Sequence, residues 1–237
     1  MMHKIEINAQ RLWGRLNTIG AVGEDPEGGV SRFAWEPAYK EAVEMLLEWI
    51  SQAGLTARID TVGNVFARLE GTEPNEPAVL SGSHFDTVPH GGFFDGLAGV
   101  MGALESLVAI KESGLPHKRS LEMVAFINEE ASQFLGGTFG SKAICGMLPL
   151  DYANTLRHRT TGQLLRDAML EFGMGLDPDN LKGSIIAPEN YYAFIELHIE
   201  QGRHLLEKNL PLSVVDAVAG IKQFYILSLI HISEPTR

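Results

Sequence analysis

Residues Ser81 to Gly99 read SGSHFDTVPHGGFFDGLAG, and their reading decides the fold. A short apolar run, Ala78 to Ser81, feeds a glycine-rich loop that carries His84, Asp86 and Asp95, and a helical stretch follows from about Gly96. Imidazole and carboxylate gathered where a strand gives way to a loop are the material of a divalent-metal site. Two further apolar segments carry similar groups. Leu121 to Ile127 leads into Asn128-Glu129-Glu130, and the strand-like segment Tyr192 to Ile199 carries His198. Strands separated by helices predict an α/β sandwich, in which ligands bind beyond the carboxyl ends of the strands. Three such runs with ligand-type side chains predict one shared site.

Working outward, residues from about Ile5 to Ile19 show helical spacing, and a second helix is expected from Glu36 to Ala53 with Pro37 in its first turn. Tyr39, Ala42, Val43, Leu46, Trp49 and Ile50 fall on one face of it. Ala57 to Leu69 reads as two short strands around Gly63-Asn64. The helix after the glycines runs to Ser113, where Gly114 stops it, and a shorter helix is expected from Thr161 to Glu171.

With 237 residues and 45% hydrophobic content the chain can bury a sizeable core. Its net charge of −11 argues against nucleic acid or an anionic membrane as a partner, since both need a basic surface. Cys145 is the only cysteine, which suits a reducing compartment. The start, MMHKIEINAQRLWGRL, lacks the apolar centre of a signal peptide, and no apolar segment reaches the length of a membrane span. A cytoplasmic location is the expectation.

If His84-Phe85-Asp86 is extended, its two polar side chains share a face. Asp86 would then accept a hydrogen bond from one ring nitrogen of His84 while the other binds metal. Asp95, next to Gly96, is suited to bridge two ions. Of the adjacent Glu129 and Glu130, one can bind metal while the other takes a proton from water held there. Each motif alone also has a plainer reading: a surface turn for His84-Phe85-Asp86, a solvated helix start for the glutamates, a structural histidine for His198. His3, His117, His158 and His204 lack ligand-type neighbours at useful spacing and read as surface residues, whereas His90 could line the site.

Taken together, the segments GGVSRFAWEP, GNVFARLEG, GSHFDTVPHGGFFDGLAGV, FINEEASQFLGGTFGSKAICG and ELHIEQGRHLLE resemble the hydantoinase/carbamoylase family of metal-dependent amidases, a branch of the M20 peptidase superfamily. The resemblance implies a three-layer α/β/α zinc-peptidase-like catalytic domain with a mixed sheet. It also implies two divalent metal ions, zinc first, with manganese, cobalt or nickel as alternatives. His84, Asp95 and His198 would hold one ion and Asp95 and Glu130 the second. Asp86 would orient His84, Glu129 would act as general base on a bridging water, and Gln201 would lie near the substrate. The implied substrates are small ureido compounds, N-carbamoyl amino acids or allantoate, and the full-length family member is expected to be a homodimer. An aminoacylase or dipeptidase of the same superfamily is the alternative enzyme. A metal-binding chain without catalysis is the alternative outside enzymology.

One departure concerns Glu129-Glu130-Ala131-Ser132-Gln133-Phe134, where many relatives have Gly in place of Ala131 and Arg in place of Gln133. Another concerns length. Residues 1–213 are expected to form the first part of the catalytic domain, and 214–226 a last strand, Val214 to Val218, with the start of a lid and dimerisation domain. The segment 227–237, LSLIHISEPTR, resembles the translation of a sequencing adapter, which makes Ile226 the expected end of natural sequence. A chain cut there lacks one metal-binding histidine and the substrate clamp, so it is expected to be inactive by itself and to expose apolar surface.

Overall fold

The structure is a computed structural model that describes residues 5–218 and 220. It divides into two compact units, the first ending at Ile199 and the second beginning at Glu200. Helix α1 (Ala9–Gly20) starts where the Asn8 side chain accepts the Arg11 N–H, and it buries Leu16 and Ile19. Helix α2 (Pro37–Gln52) opens on its proline and buries Tyr39, Ala42, Val43, Leu46 and Ile50, the apolar face read from the sequence with Trp49 at its margin. Strands β1 (Thr56–Ile59) and β2 (Val65–Leu69) form a hairpin. Its turn is tied by Asp60 Oδ1, which accepts the N–H groups of Val62, Gly63 and Asn64.

Strand β3 (Ala78–His84), helix α3 (Leu97–Ser113), strand β4 (Leu121–Phe126) and strand β5 (Tyr191–Ile195) complete the framework. The sheet runs β1-β2-β4-β3-β5, antiparallel from β1 to β4 and parallel from β4 through β3 to β5. His84 pairs in register with Phe126, so β3 and β4 end side by side. Alternation along the strands sorts the core into two. Val65, Ala67, Met123 and Ala125 face the large cluster built with α1, α2 and α3, while Phe66, Leu80, Val124 and Phe126 face a small one with Ile144, Ile186 and Tyr191.

Several boundaries differ from the sequence expectation. β3 runs three residues further than Ser81, because hydrogen bonding to β4 continues through His84. β5 stops at Ile195, so His198 lies beyond the strand rather than on it. The helix expected from Thr161 begins at Leu165 (α6, Leu165–Phe172), and two short helices unmarked by periodicity, α4 (Phe139–Ile144) and α5 (Tyr152–Thr155), precede it. His158 is not a surface residue: its side chain is 11% exposed, packed edge-on to Phe134 with Nε2 3.7 Å from Glu36. No helix among the described residues is long and apolar enough to cross a membrane.

The described residues of the second unit include the helical turn α7 (His204–Glu207), capped by Glu200, whose carboxylate accepts the N–H groups of His204 and Leu205. Val214 to Val218, expected as a strand, has no regular secondary structure. His3, His231 and the whole segment 227–237 lie outside the described residues.

Candidate metal centre

The carboxyl ends of β3 and β4 and the segment after β5 bring the expected side chains together. Asp95 Oδ1 lies 3.5 Å from His84 Nε2 and 3.2 Å from His198 Nε2, and the two Nε2 atoms are 3.5 Å apart. The other nitrogen of each ring is already committed. His84 Nδ1 meets the backbone oxygen of Asp86 at 2.9 Å, and His198 Nδ1 meets that of Ile199 at 2.8 Å. A carbonyl oxygen only accepts, so each Nδ1 carries a proton and each Nε2 faces inward. Two imidazole nitrogens and a carboxylate oxygen this close are held together by a shared cation, either a proton on Nε2 or a metal ion. The donor set fits a divalent metal ion.

Glu129 and Glu130 also come close to His84. They and His84 each offer a donor atom, all within 4.8 Å of one another. The residue common to both groups is His84, whereas the family resemblance implied Asp95 as the bridge. Burial lowers the proton affinity of His84, but the hydrogen bond to Asp95 and the charges of Asp86 and Glu129 outweigh it, and its pKa is pushed up to about 9. The Glu130 carboxyl is pushed up to about 7, first by burial and then by the charges of Glu129, Asp95 and Asp86. Several carboxylates crowded around one imidazole form a site short of positive charge.

Asp86 does not take the role that alternation suggested. The chain leaves the strand at His84, the Phe85 N–H still bonds to the Phe126 oxygen, and the Asp86 carboxylate turns inward instead of toward the imidazole. There Oδ1 accepts the Glu129 N–H at 2.9 Å and Oδ2 accepts the Glu130 N–H at 3.1 Å. Asp86 thus orients His84 through its backbone oxygen and the two glutamates through its side chain. Burial raises its pKa, opposed by the charge of His84 and by these two amides.

The glutamate loop is held on its other side as well. Asn64 Oδ1 accepts the Ile127 N–H and its amide nitrogen donates to the Gly140 and Asp60 oxygens, while the Glu129 oxygen accepts from the Thr138 N–H. Asn64 was visible in the sequence only as a turn residue, because its partners lie 63 and 76 positions away. Gly96 is a second constraint that composition did not reveal. At φ 64 it starts α3, and a Cβ there would stand 2.4 Å from the His84 ring, so the imidazole occupies the space that any side chain would need. Gln201 lies in the second unit, at φ 56. His90 sits 3.4 Å from Asp25 and half exposed.

The model of peptidase family M28 matches residues 64–175; that match names M28, not the M20 superfamily of the sequence reading. An N-carbamoyl-L-amino acid amidohydrolase from Geobacillus stearothermophilus is 39% identical over 91% of this chain and 52% of its own length. A ureidoglycolate hydrolase from Arabidopsis thaliana is 35% identical over 91% of this chain and 46% of its own length. The crystal structure of a hydantoinase/carbamoylase family amidase from Burkholderia ambifaria superposes with a TM-score of 0.80 at 34% identity, covering 87% of this chain and 49% of that one. The chain spans about half the length of the curated relatives it matches. Over that half, in both sequence and fold, the chain is similar to the hydantoinase/carbamoylase family of amidases.

Proposed function

We propose that this chain is the metal-binding portion of a binuclear hydrolase that cleaves C–N bonds in ureido compounds: N-carbamoyl amino acids, ureidoglycolate or allantoate. The observation that carries the reading is the inward convergence of His84 Nε2, His198 Nε2 and Asp95 Oδ1, with both Nδ1 atoms already donating to carbonyls. His84, Asp95 and His198 would hold one ion. Asp95 and Glu130 would contribute to a second, and the charge of Asp95 already bears on Glu130. Zinc suits the donor set best, and manganese, cobalt or nickel could replace it. When bound, the ions polarise the substrate carbonyl and acidify a water molecule.

The remaining chemistry belongs to the protein. Glu129 is the general base: it takes the proton of the attacking water and returns it to the nitrogen that departs. Asp86 holds the Glu129 backbone by its N–H, so the carboxylate stays beside the reacting carbon without contributing a ligand itself. Gln201 is assigned to the substrate side. The whole protein is proposed to be a cytoplasmic homodimer with a small-molecule substrate and neither nucleic acid nor membrane as partner. The present chain would bind metal without turnover.

Turnover of N-carbamoyl amino acids, ureidoglycolate and allantoate by the full-length protein, with each metal supplied and ammonia measured, tests the reading. Absence of release from all of them counts against it. The match to a peptidase family favours a second reading, an aminoacylase or peptidase. Hydrolysis of acylated amino acids or dipeptides with none of ureido compounds would select it.

A further inference from the structure

Among the described residues Arg32 is the largest fully buried side chain, 1% exposed, and the chemistry above does not use it. Removing a guanidinium from water is costly unless something compensates. Burial pushes its pKa down to about 10, against the opposing charges of Tyr39 and Asp86. Its compensation is a set of carbonyls. Nε donates to the Phe85 oxygen at 3.0 Å, and Nη1 donates to the Ile19 and Val22 oxygens at 3.1 and 3.2 Å. Ile19 belongs to the last turn of α1, where a cation also meets the negative end of the helix dipole. The guanidinium carbon lies 5.4 Å from the centre of the Phe85 ring.

Phe85 stands between His84 and Asp86. The backbone of Arg32 grips the same segment two residues further on: its N–H donates to Thr87 Oγ1 at 2.8 Å, and its oxygen accepts the Thr87 N–H at 3.1 Å. Thr87 Oγ1 donates in turn to the Val30 oxygen, and the Thr87 oxygen accepts from Ser132 Oγ at 2.7 Å, next to the glutamate loop. Residues 85 to 87 are thus held on both flanks of Asp86, and Asp86 holds Glu129 and Glu130.

We infer that Arg32 is a positioning residue for the metal centre. By clamping Phe85 and Thr87 it aims the Asp86 carboxylate at the Glu129 and Glu130 amides and the Asp86 backbone oxygen at His84, so that base and ligands are placed from one buried cation. Lysine cannot take its place, because a single ammonium on a shorter reach does not span carbonyls from α1 and from Phe85 together. The link to metal rests on the function proposed above; the clamp itself does not.

The test uses the whole 237-residue chain. Amide hydrogen exchange is followed at Glu129 and Glu130, with Ala67 and Met123 inside the sheet as references, and cobalt binding is followed by visible absorption. In Arg32→Lys, exchange at the two glutamates rises about tenfold relative to the references, and cobalt affinity falls about tenfold with an altered spectrum, the size expected when an orienting partner of a ligand is lost. Arg32→Met moves both further, and if it does not fold the lysine variant decides alone. Unchanged relative exchange, or faster exchange shared equally by Ala67 and Met123, overturns the role of Arg32. A wild-type chain that fails to bind cobalt, while Arg32→Lys still loosens the glutamate amides, overturns the metal-centre reading and leaves the clamp standing.

Discussion

His84 and His198 converge on Asp95 from opposite kinds of structure. His84 ends a strand paired on both sides and its side chain is 4% exposed, whereas His198 follows the edge strand β5 and is 31% exposed. Around His84 the neighbours are buried and doubly held: Phe85, Asp86, Thr87 and the glutamate loop. Around His198 they are not, and Tyr192, Phe194, Ile195 and Leu197 all lie open to solvent. One wall of the site is made from the core, and the other hangs from an uncovered edge. Rigid placement of a base needs the first kind of wall.

Phe126 and Phe194 offer the sharpest way to break that comparison, since one residue type occupies both walls with ring centroids 6.1 Å apart. Phe126 is 8% exposed and Phe194 is 49% exposed. Urea denaturation should show a loss of about 3–5 kcal/mol for Phe126→Ala and under about 1 kcal/mol for Phe194→Ala. Equal losses would mean that the β5 edge is packed as firmly as the centre of the sheet.

Asp86→Ala comes next. It strips the acceptor from two amides at once and should cost about 2–4 kcal/mol in the same titration. Asp86→Asn keeps one oxygen and should recover part of this. A neutral effect of the alanine variant would show that the glutamate loop is held by Asn64 and Thr138 alone.

Gly96→Ala should be milder for stability, about 1–2 kcal/mol for an alanine forced to positive φ. Its larger effect is local: the new methyl group meets the His84 ring, and zinc affinity measured by calorimetry should fall about 10- to 100-fold. Preserved affinity would place the metal elsewhere. The smallest effect on stability belongs to Phe194→Lys, which charges an exposed edge strand. It should leave the denaturation midpoint nearly unchanged while reducing the concentration-dependent mass seen by light scattering. A wild-type chain that stays monomeric at every concentration would remove the premise of a sticky edge.

Much of this architecture is legible in the sequence for a local reason. Helix α2 shows its face because Tyr39, Ala42, Val43, Leu46 and Ile50 recur at the helical period, and β2 and β4 show theirs because alternate residues enter different clusters. The site residues were findable because imidazoles and carboxylates beside apolar runs stand out chemically. What escaped detection was set by partners far away in the chain. Asn64 looks like a turn residue until Ile127 and Gly140 arrive beside it, and α4 lacks a clear period because its six residues make fewer than two turns. Arg32 in GGVSRF carries no sign that its charge is buried, since burial depends on α1 and the Phe85 segment closing over it.

The amino-acid sequence by itself determined which side chains could reach a metal and which ends of which strands would deliver them. Periodicity and side-chain chemistry are properties of neighbouring residues, so they survive without coordinates. Only the tertiary structure decided how those groups face one another. It turned the Asp86 carboxylate from His84 to the glutamate amides, put a proton of each imidazole on Nδ1, and left His198 on the exposed side. Those outcomes depend on where a strand lets go of its partner and on which carbonyl then lies within about 3 Å, distances set by packing between segments many residues apart.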